Sequence, residues 1–248
     1  MISLRKSNSV KSSNVDIPST LEEHPFYGIQ LDDEQKIFRD SIWNPEKKIV
    51  FCNSVAGTGK TFISLGVANL LVQYGLYDGI DYIVAPVQEE KQGYLPGSVE
   101  DKTAPYKMPL LDTLVTLGIN PFTAIESDDI EIKKQGTGYI RFMPHTFMRG
   151  MSIDKRVILI DEAENFYASE LKKVLTRVKD SCKVVVIGHT GQCDLFKNPS
   201  NSGFPEAIKL FGNTHDHRVS ICTLTHNYRG WVSQIADNLD SEIQIQGA

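Results

Sequence analysis

SVAGTGKT, Ser54–Thr61, decides how the rest of the chain is read. KIVFCN, Lys48–Asn53, precedes it and reads as a buried strand. Thr61–Tyr74 follows it, is apolar on nearly every side, and reads as a helix packed inside the fold. A Gly-rich turn between strand and helix, closing on Lys-Thr, is the setting of a phosphate loop. Triphosphate concentrates negative charge in a small volume. Consecutive N–H groups of Ala56, Gly57, Thr58 and Gly59, with the turn opened by Ser54 and Val55, can line one concavity for it. The helix N-terminus adds its dipole. Gly57 and Gly59 permit the dihedrals such a turn needs. Lys60 is expected at the β- and γ-phosphate oxygens and the Thr61 hydroxyl on Mg²⁺. The first glycine of the strict pattern is replaced by Ser54.

About a hundred residues on, VILIDE, Val157–Glu162, is an apolar strand ending in two acids. In an α/β sheet the carboxyl ends of strands are where sites form. Asp161 suits Mg²⁺, directly or through water. Glu162 suits orienting and deprotonating the attacking water. KVVVIG, Lys183–Gly188, is a further strand, and Gln192 in the GHTGQCD loop after it is a candidate sensor of the γ-phosphate. Arg229, in THNYRG, is a candidate to stabilise the transferring phosphoryl group, in its own chain or a neighbour's. Gln35 carries an amide able to pair both edges of adenine.

Around these pieces, strands at Tyr82–Pro86 and Val219–Leu224 alternate with helices, which predicts a parallel sheet covered on both faces. Asp32 or Asp33 is expected to cap a helix presenting Ile37, Phe38 and Ile42. Leu171, Val174, Leu175 and Val178 form an amphipathic stripe. Pro205 and Gly212 are expected to bracket another helix, and Trp231–Leu239 to form the last one. Gln88–Asn120 reads as irregular, broken by Pro96, Pro105 and Pro109, and Ile130–Met143 as a hairpin turning at Gln135–Gly138.

Residues 1–20 are rich in Ser, Asn and Lys without any period, so a disordered arm is expected over 1–24 and one domain over 25–248. The 248 residues suffice for one α/β core. No stretch reaches the roughly 20 apolar residues of a membrane span, and the start has no secretory block. Cys52, Cys182, Cys193 and Cys222 form no C-x-x-C pair and read as reduced thiols of a cytoplasmic protein. The net charge of −5 argues against a broad electropositive surface but leaves room for a local basic groove. Lys172, Lys173, Arg177 and Lys179 on one helix, and Tyr94, Tyr106 and Arg149, are candidates for such a groove.

Four segments in order resemble the PhoH-like family of P-loop ATPases, whose core is similar to the first motor domain of superfamily 1 helicases. They are the phosphate loop, Gln92–Leu114, His145–Asn165, and Gly188–Leu195 with the SGF of Ser202–Phe204. The resemblance implies a RecA-like three-layer α/β/α fold with an extra strand between the phosphate-loop strand and the acidic strand. It implies ATP with Mg²⁺, and action on RNA or single-stranded DNA. A helicase site lies between two motor domains and this chain carries one. A complete site would then need a neighbouring subunit, as in a homo-oligomer such as a hexameric ring. Ser54, Ala85, Glu164 (where Gln is usual), His189 and the NYR ending depart from the family pattern. The competing reading is a nucleotide-gated binding module with negligible turnover. Kinase chemistry on a small acceptor fits less well, because the Asp-Glu pair favours water.

Overall fold

The computed structural model describes residues 16–21, 26–85, 99–126, 138–148, 150–191 and 201–236, with backbone alone for 99–103. Among them six strands form one sheet in the order β3-β2-β4-β5-β1-β6. The strands are β1 (Ile49–Ser54), β2 (Ile80–Val84), β3 (Ile140–Pro144), β4 (Val157–Ile160), β5 (Lys183–Gly188) and β6 (Val219–Leu224). Every pairing is parallel. β5 lies between β1 and β4, where the extra strand was expected.

The side-chain alternation of each strand sorts the core into two layers. On one face Val50, Cys52, Tyr82, Leu159 and Val185 meet Phe38 and Ile42 of α1 (Asp33–Trp43), Ile63 and Val67 of α2 (Lys60–Gln73), and Leu110 and Leu114 of α3 (Val99–Thr116). The short α4 (Pro121–Ala124) adds Ala124 to this layer. On the other face Phe51, Ile83, Ile158, Ile160 and Val186 meet Leu171 and Val174 of α5 (Ala168–Leu175), and Phe204 and Ala207 of α6 (Gly203–Gly212). This is a three-layer α/β/α P-loop NTPase fold. α7 (Trp231–Ala236) follows β6 and buries none of its residues.

Several local expectations change. Pro105 and Pro109 lie inside α3 instead of breaking it. Both are exposed and lie four residues apart, each leaving one carbonyl of the preceding turn without its helical donor. Leu110, Leu114 and Leu117 meanwhile bury the i, i+4, i+7 stripe that holds the helix in place. Ile37 is exposed, and Gln35, Arg39 and Trp43 share the buried face of α1 with Phe38 and Ile42. Asp32, not Asp33, is the N-cap, in a reciprocal capping box with Gln35. Ser202 caps α6 and accepts from Phe204 N, so Pro205 falls in the first turn and Gly212 ends the helix from within. Ile140–Pro144 is a strand parallel to β2; most of the expected hairpin, residues 130–137, lies outside the described residues. Of the expected arm, Pro18 accepts a hydrogen bond from the Trp43 indole (3.0 Å).

No helix among the described residues is long and apolar enough to cross a membrane. Cys52, Cys182 and Cys222 are buried free thiols; Cys193 is outside the described residues.

Candidate functional site

The carboxyl ends of the parallel strands share one edge of the sheet, so β1 and β4 deliver their sequels to the same side. After β1 the backbone turns through left-handed conformations at Gly57 (φ 75°) and Gly59 (φ 83°). Alternation of this kind cups successive N–H groups around an anion. Gly59 is the N-cap of α2, and no side chain caps that helix. Its first-turn N–H groups are therefore left for a ligand. The buried Thr58 hydroxyl donates to Val55 O (3.2 Å) and stiffens the turn. Ser54 is buried, and its Oγ has no hydrogen-bond partner among the described residues. Ala56 and Val55 are half-buried along the loop.

After β4, Asp161 is buried and points at the start of α2. Its Oδ2 accepts from the Thr61 hydroxyl at 3.3 Å, and its Oδ1 accepts from Glu162 N at 2.9 Å. The Tyr82 hydroxyl, reaching across from the neighbouring β2, donates to Oδ2 as well. Burial, then the charge of Glu162, pushes the Asp161 carboxyl up to about 6, against the pull of Tyr82 and Lys60. Lys60 and Asp161 thus belong to one site, joined through adjacent residues of α2. Glu162 is exposed and adopts the left-handed conformation (φ 51°, ψ 47°), which turns it away from the strand direction into the open edge.

Two oxygens, Thr61 Oγ1 and Asp161 Oδ2, converge beside the anion cradle. Mg²⁺ characteristically binds through one or two protein oxygens, completed by water and phosphate. The buried carboxylate next to a second acid is also the charge arrangement a dication offsets. The residues present fit Mg²⁺ bound together with phosphate. No group of three His, Cys, Asp or Glu that could hold a metal stands together among the described residues.

The segment after β6 folds back over the phosphate loop. Tyr228 N donates to Gly57 O at 2.8 Å. A Cβ on Gly57 would lie 2.4 Å from Asn227 Oδ1 and 2.8 Å from Arg229 Cγ. Gly57 is therefore required twice, by its dihedral and by this close approach. Arg229 sits over the loop of its own chain. The segment is tied to α1: Glu34 accepts from Thr225 N (2.7 Å), and Asp32 Oδ2 accepts from the Tyr228 hydroxyl (2.5 Å). Gln35 joins the same hub. Its Nε2 donates to Thr58 O (2.9 Å) and its Oε1 accepts from Asp32 N (3.1 Å). One end of the amide expected at adenine holds the phosphate loop against α1, and the other closes the capping box of α1.

The sequence reading singled out neither Tyr82 nor Asn227. Tyr82 looks like an ordinary core aromatic until strand order places it beside β4. Gln192 and Arg149 lie outside the described residues, as does Tyr94. The loop that carries Gln192 begins within reach: Thr190 N donates to Asn53 Oδ1 (3.0 Å), fastening the end of β5 to that of β1. Of the basic stripe, Lys179 is paired with Asp154 (2.7 Å) and Arg177 Nε donates to Met148 O (2.6 Å), which leaves Lys172 and Lys173 exposed.

The family profile described as PhoH-like protein matches residues 30–237. This chain belongs to the PhoH-like family. It is 33% identical over 170 residues to Protein PhoH of Escherichia coli, covering 66% of this chain and 45% of that protein. It is 36% identical over 180 residues to a PhoH-like protein of Synechocystis, covering 71% and 51%. It is 32% identical over 206 residues to the PhoH-like protein of Mycobacterium tuberculosis, covering 82% and 55%. The PhoH-like chain therefore spans about half the length of these relatives. Among solved structures it is similar to the Hef helicase domain of Pyrococcus furiosus (TM-score 0.42, 15% identity, 75% of this chain and 37% of that one).

Proposed function

We propose that this PhoH-like chain binds ATP with Mg²⁺ and hydrolyses it, in an assembly that acts on RNA or single-stranded DNA. The observation that carries the reading is the approach of Thr61 and Asp161 beside an uncapped helix N-terminus. Neither half has an evident use without the other.

In this reading the amides from Ala56 to Gly59 and the first turn of α2 hold the triphosphate, with Lys60 at its β- and γ-oxygens. Thr61 and Asp161 would hold Mg²⁺, which when bound would supply positive charge to those oxygens. Glu162 accepts a proton as a water oxygen bonds to the γ-phosphorus and the bond to the β-bridging oxygen breaks, giving ADP and phosphate. Tyr82 fixes the orientation of the Asp161 carboxylate. Arg229, over its own phosphate loop, supplies positive charge to the transferring group. Gln35 keeps a second N–H and a second oxygen lone pair for adenine while it holds Thr58 O and Asp32 N, which would link base recognition to the phosphate loop. Gln192 is retained as a γ-phosphate sensor on the strength of its place after β5. A homo-oligomer, such as a hexameric ring, would place a second subunit where helicases have a second motor domain.

Phosphate release, measured with and without single-stranded RNA and DNA, tests this. Glu162→Gln is expected to lower turnover by about 10²–10⁴-fold while ATP still binds. Equal, background release by the wild type and by Glu162→Gln, with ATP bound in both, would establish the gated binding module instead.

A further inference from the structure

The chain leaves β5 between its two neighbouring strands. Along a strand paired on both sides, successive N–H groups turn to opposite neighbours. Lys183 N donates to Arg156 O on the β4 side (3.1 Å), and Val184 N to Lys48 O on the β1 side (2.8 Å). By that alternation His189 N comes next on the β4 side and Thr190 N on the β1 side. Side chains meet both where the ladder stops. Glu164 Oε2 accepts from His189 N (3.1 Å), and Asn53 Oδ1 accepts from Thr190 N (3.0 Å). Asn53 closes a second bond, its Nδ2 donating to Thr190 Oγ1 (3.1 Å). A backbone N–H only donates, so the amide oxygen of Asn53 must face it and the NH₂ group must face the hydroxyl. Oγ1 is thereby engaged as an acceptor, and its own proton is left to donate away from Asn53. No acceptor for that proton stands among the described residues.

The end of β5 lies between the phosphate loop, which opens at Ser54 beside Asn53, and the acidic turn that follows β4. In the ATP reading the γ-phosphate stands in that interval, between the amides of the loop and the water beside Glu162. We propose that Thr190 recognises the γ-phosphate, its hydroxyl donating to a terminal oxygen, and that Asn53 is the positioning residue that aims it. The pair distinguishes ATP from ADP, because ADP has no phosphate at that place. A donor to a charged oxygen makes a stronger hydrogen bond than one to a neutral acceptor. Asn53 touches no phosphate in this role; both of its amide bonds go to Thr190.

The proposal rests on the ATP reading, and the experiment tells the two failures apart. Equilibrium affinities of the whole chain for ADP and for the β,γ-imido analogue of ATP, both with Mg²⁺, measure the preference without hydrolysis. Thr190→Val keeps the shape of the side chain and removes the donor. It is expected to weaken analogue binding about ten-fold and to leave ADP affinity unchanged. Thr190→Ser, which keeps the hydroxyl, should retain most of the wild-type preference. Asn53→Ala should lower the preference in the same direction, and should add little on the Thr190→Val background, where there is no donor left to aim. A clasp that is only structural would weaken both nucleotides alike, or give additive losses, and either result overturns the proposal. An unchanged preference in Thr190→Val also overturns it, while nucleotide binding stands. So does a wild type that binds the analogue no more tightly than ADP. Folded wild-type protein that binds neither nucleotide would refute the ATP reading itself, and this proposal with it.

Discussion

The two edges of the sheet bury charge in opposite ways. At the amino edge Asp81, near the start of β2, is fully buried between two arginines. Arg141 reaches both of its oxygens (2.7 and 2.7 Å) and Arg156 one of them (2.6 Å). Lys183, the first residue of β5, is equally buried, and its Nζ donates to Ile42 O (2.7 Å) and Asn44 O (2.6 Å) at the end of α1. Each of these buried groups meets hydrogen-bond partners inside the protein. At the carboxyl edge the carboxyls of Asp161, Glu162 and Glu164 crowd together, each of the buried two held above the usual carboxylate range, and the amides of α2 stay uncapped. Balanced charge at one edge does structural work. Unbalanced charge at the other awaits something that is both anionic and metal-bearing. The difference marks the site without reference to any motif.

The largest expected effect breaks the balanced edge. Asp81→Ala removes the buried counter-charge of Arg141 and Arg156, leaving Arg156 only its longer pairing with Glu126 (3.3 Å), and should cost about 3–5 kcal/mol of stability. A fall of the urea midpoint measures it. ATP affinity of the folded fraction should be unchanged, since the site lies at the other edge; a proportionate loss of ATP binding would show that the edges are not independent.

Lys183→Met leaves two helix-end carbonyls unpaired and should cost about 1–3 kcal/mol. Its pH dependence is distinctive. Burial pulls the Lys183 ammonium down to about 7. Between that value and the ordinary lysine range the unfolded chain holds the proton that the folded chain has lost. Stability contributed by this group therefore rises with pH across the window and is lost as pH falls through 7. Urea midpoints at pH 7 and pH 9 should rise more for the wild type than for Lys183→Met; parallel lines would mean that Lys183 stays charged throughout.

At the unbalanced edge, Tyr82→Phe removes the donor that aims Asp161 and leaves the ring packed as before. Outer-shell losses of this kind weaken metal binding about 10-fold or more. The Mg²⁺ concentration giving half-maximal ATP binding should rise accordingly, with little change in stability. An unchanged Mg²⁺ requirement would mean that Thr61 and the Glu162 amide suffice to orient the carboxylate.

What could be read in advance follows the same division. The phosphate loop and the acidic pair are contiguous in the chain, so spacing alone reveals them, and β-branched runs announce the strands. The links between them are set by strand order. Tyr82 meets Asp161 because β2 pairs with β4, and Asn227 meets Gly57 because the chain returns beside β1 as β6. No local pattern encodes those neighbours. The helical state of Pro105 and Pro109 was hidden for another reason: propensity penalises each proline by about 3 kcal/mol. Only the buried stripe of Leu110, Leu114 and Leu117, which requires a tertiary partner, outweighs it. Gln35 was legible as a polar residue in a good place, but an amide has two ends, and sequence does not say that both are already engaged.

The smallest effect on stability belongs to residues with no partner role at either edge. Lys172 and Lys173 are exposed on α5, beside Arg177 and Lys179, whose side chains already have structural contacts. Replacing both by Gln should change stability by no more than about 0.5 kcal/mol. If this face tracks a phosphate backbone, each lysine that contacts a phosphate contributes about 0.7 to the slope of log affinity against log salt for a single strand. RNA-binding titrations at several salt concentrations should then show the slope fall by about 1.4 in the double variant. A slope unchanged by the double substitution would assign these lysines to the solvated side of an amphipathic helix. It would also move the search for the nucleic-acid path to the carboxyl edge, where the charge is unbalanced.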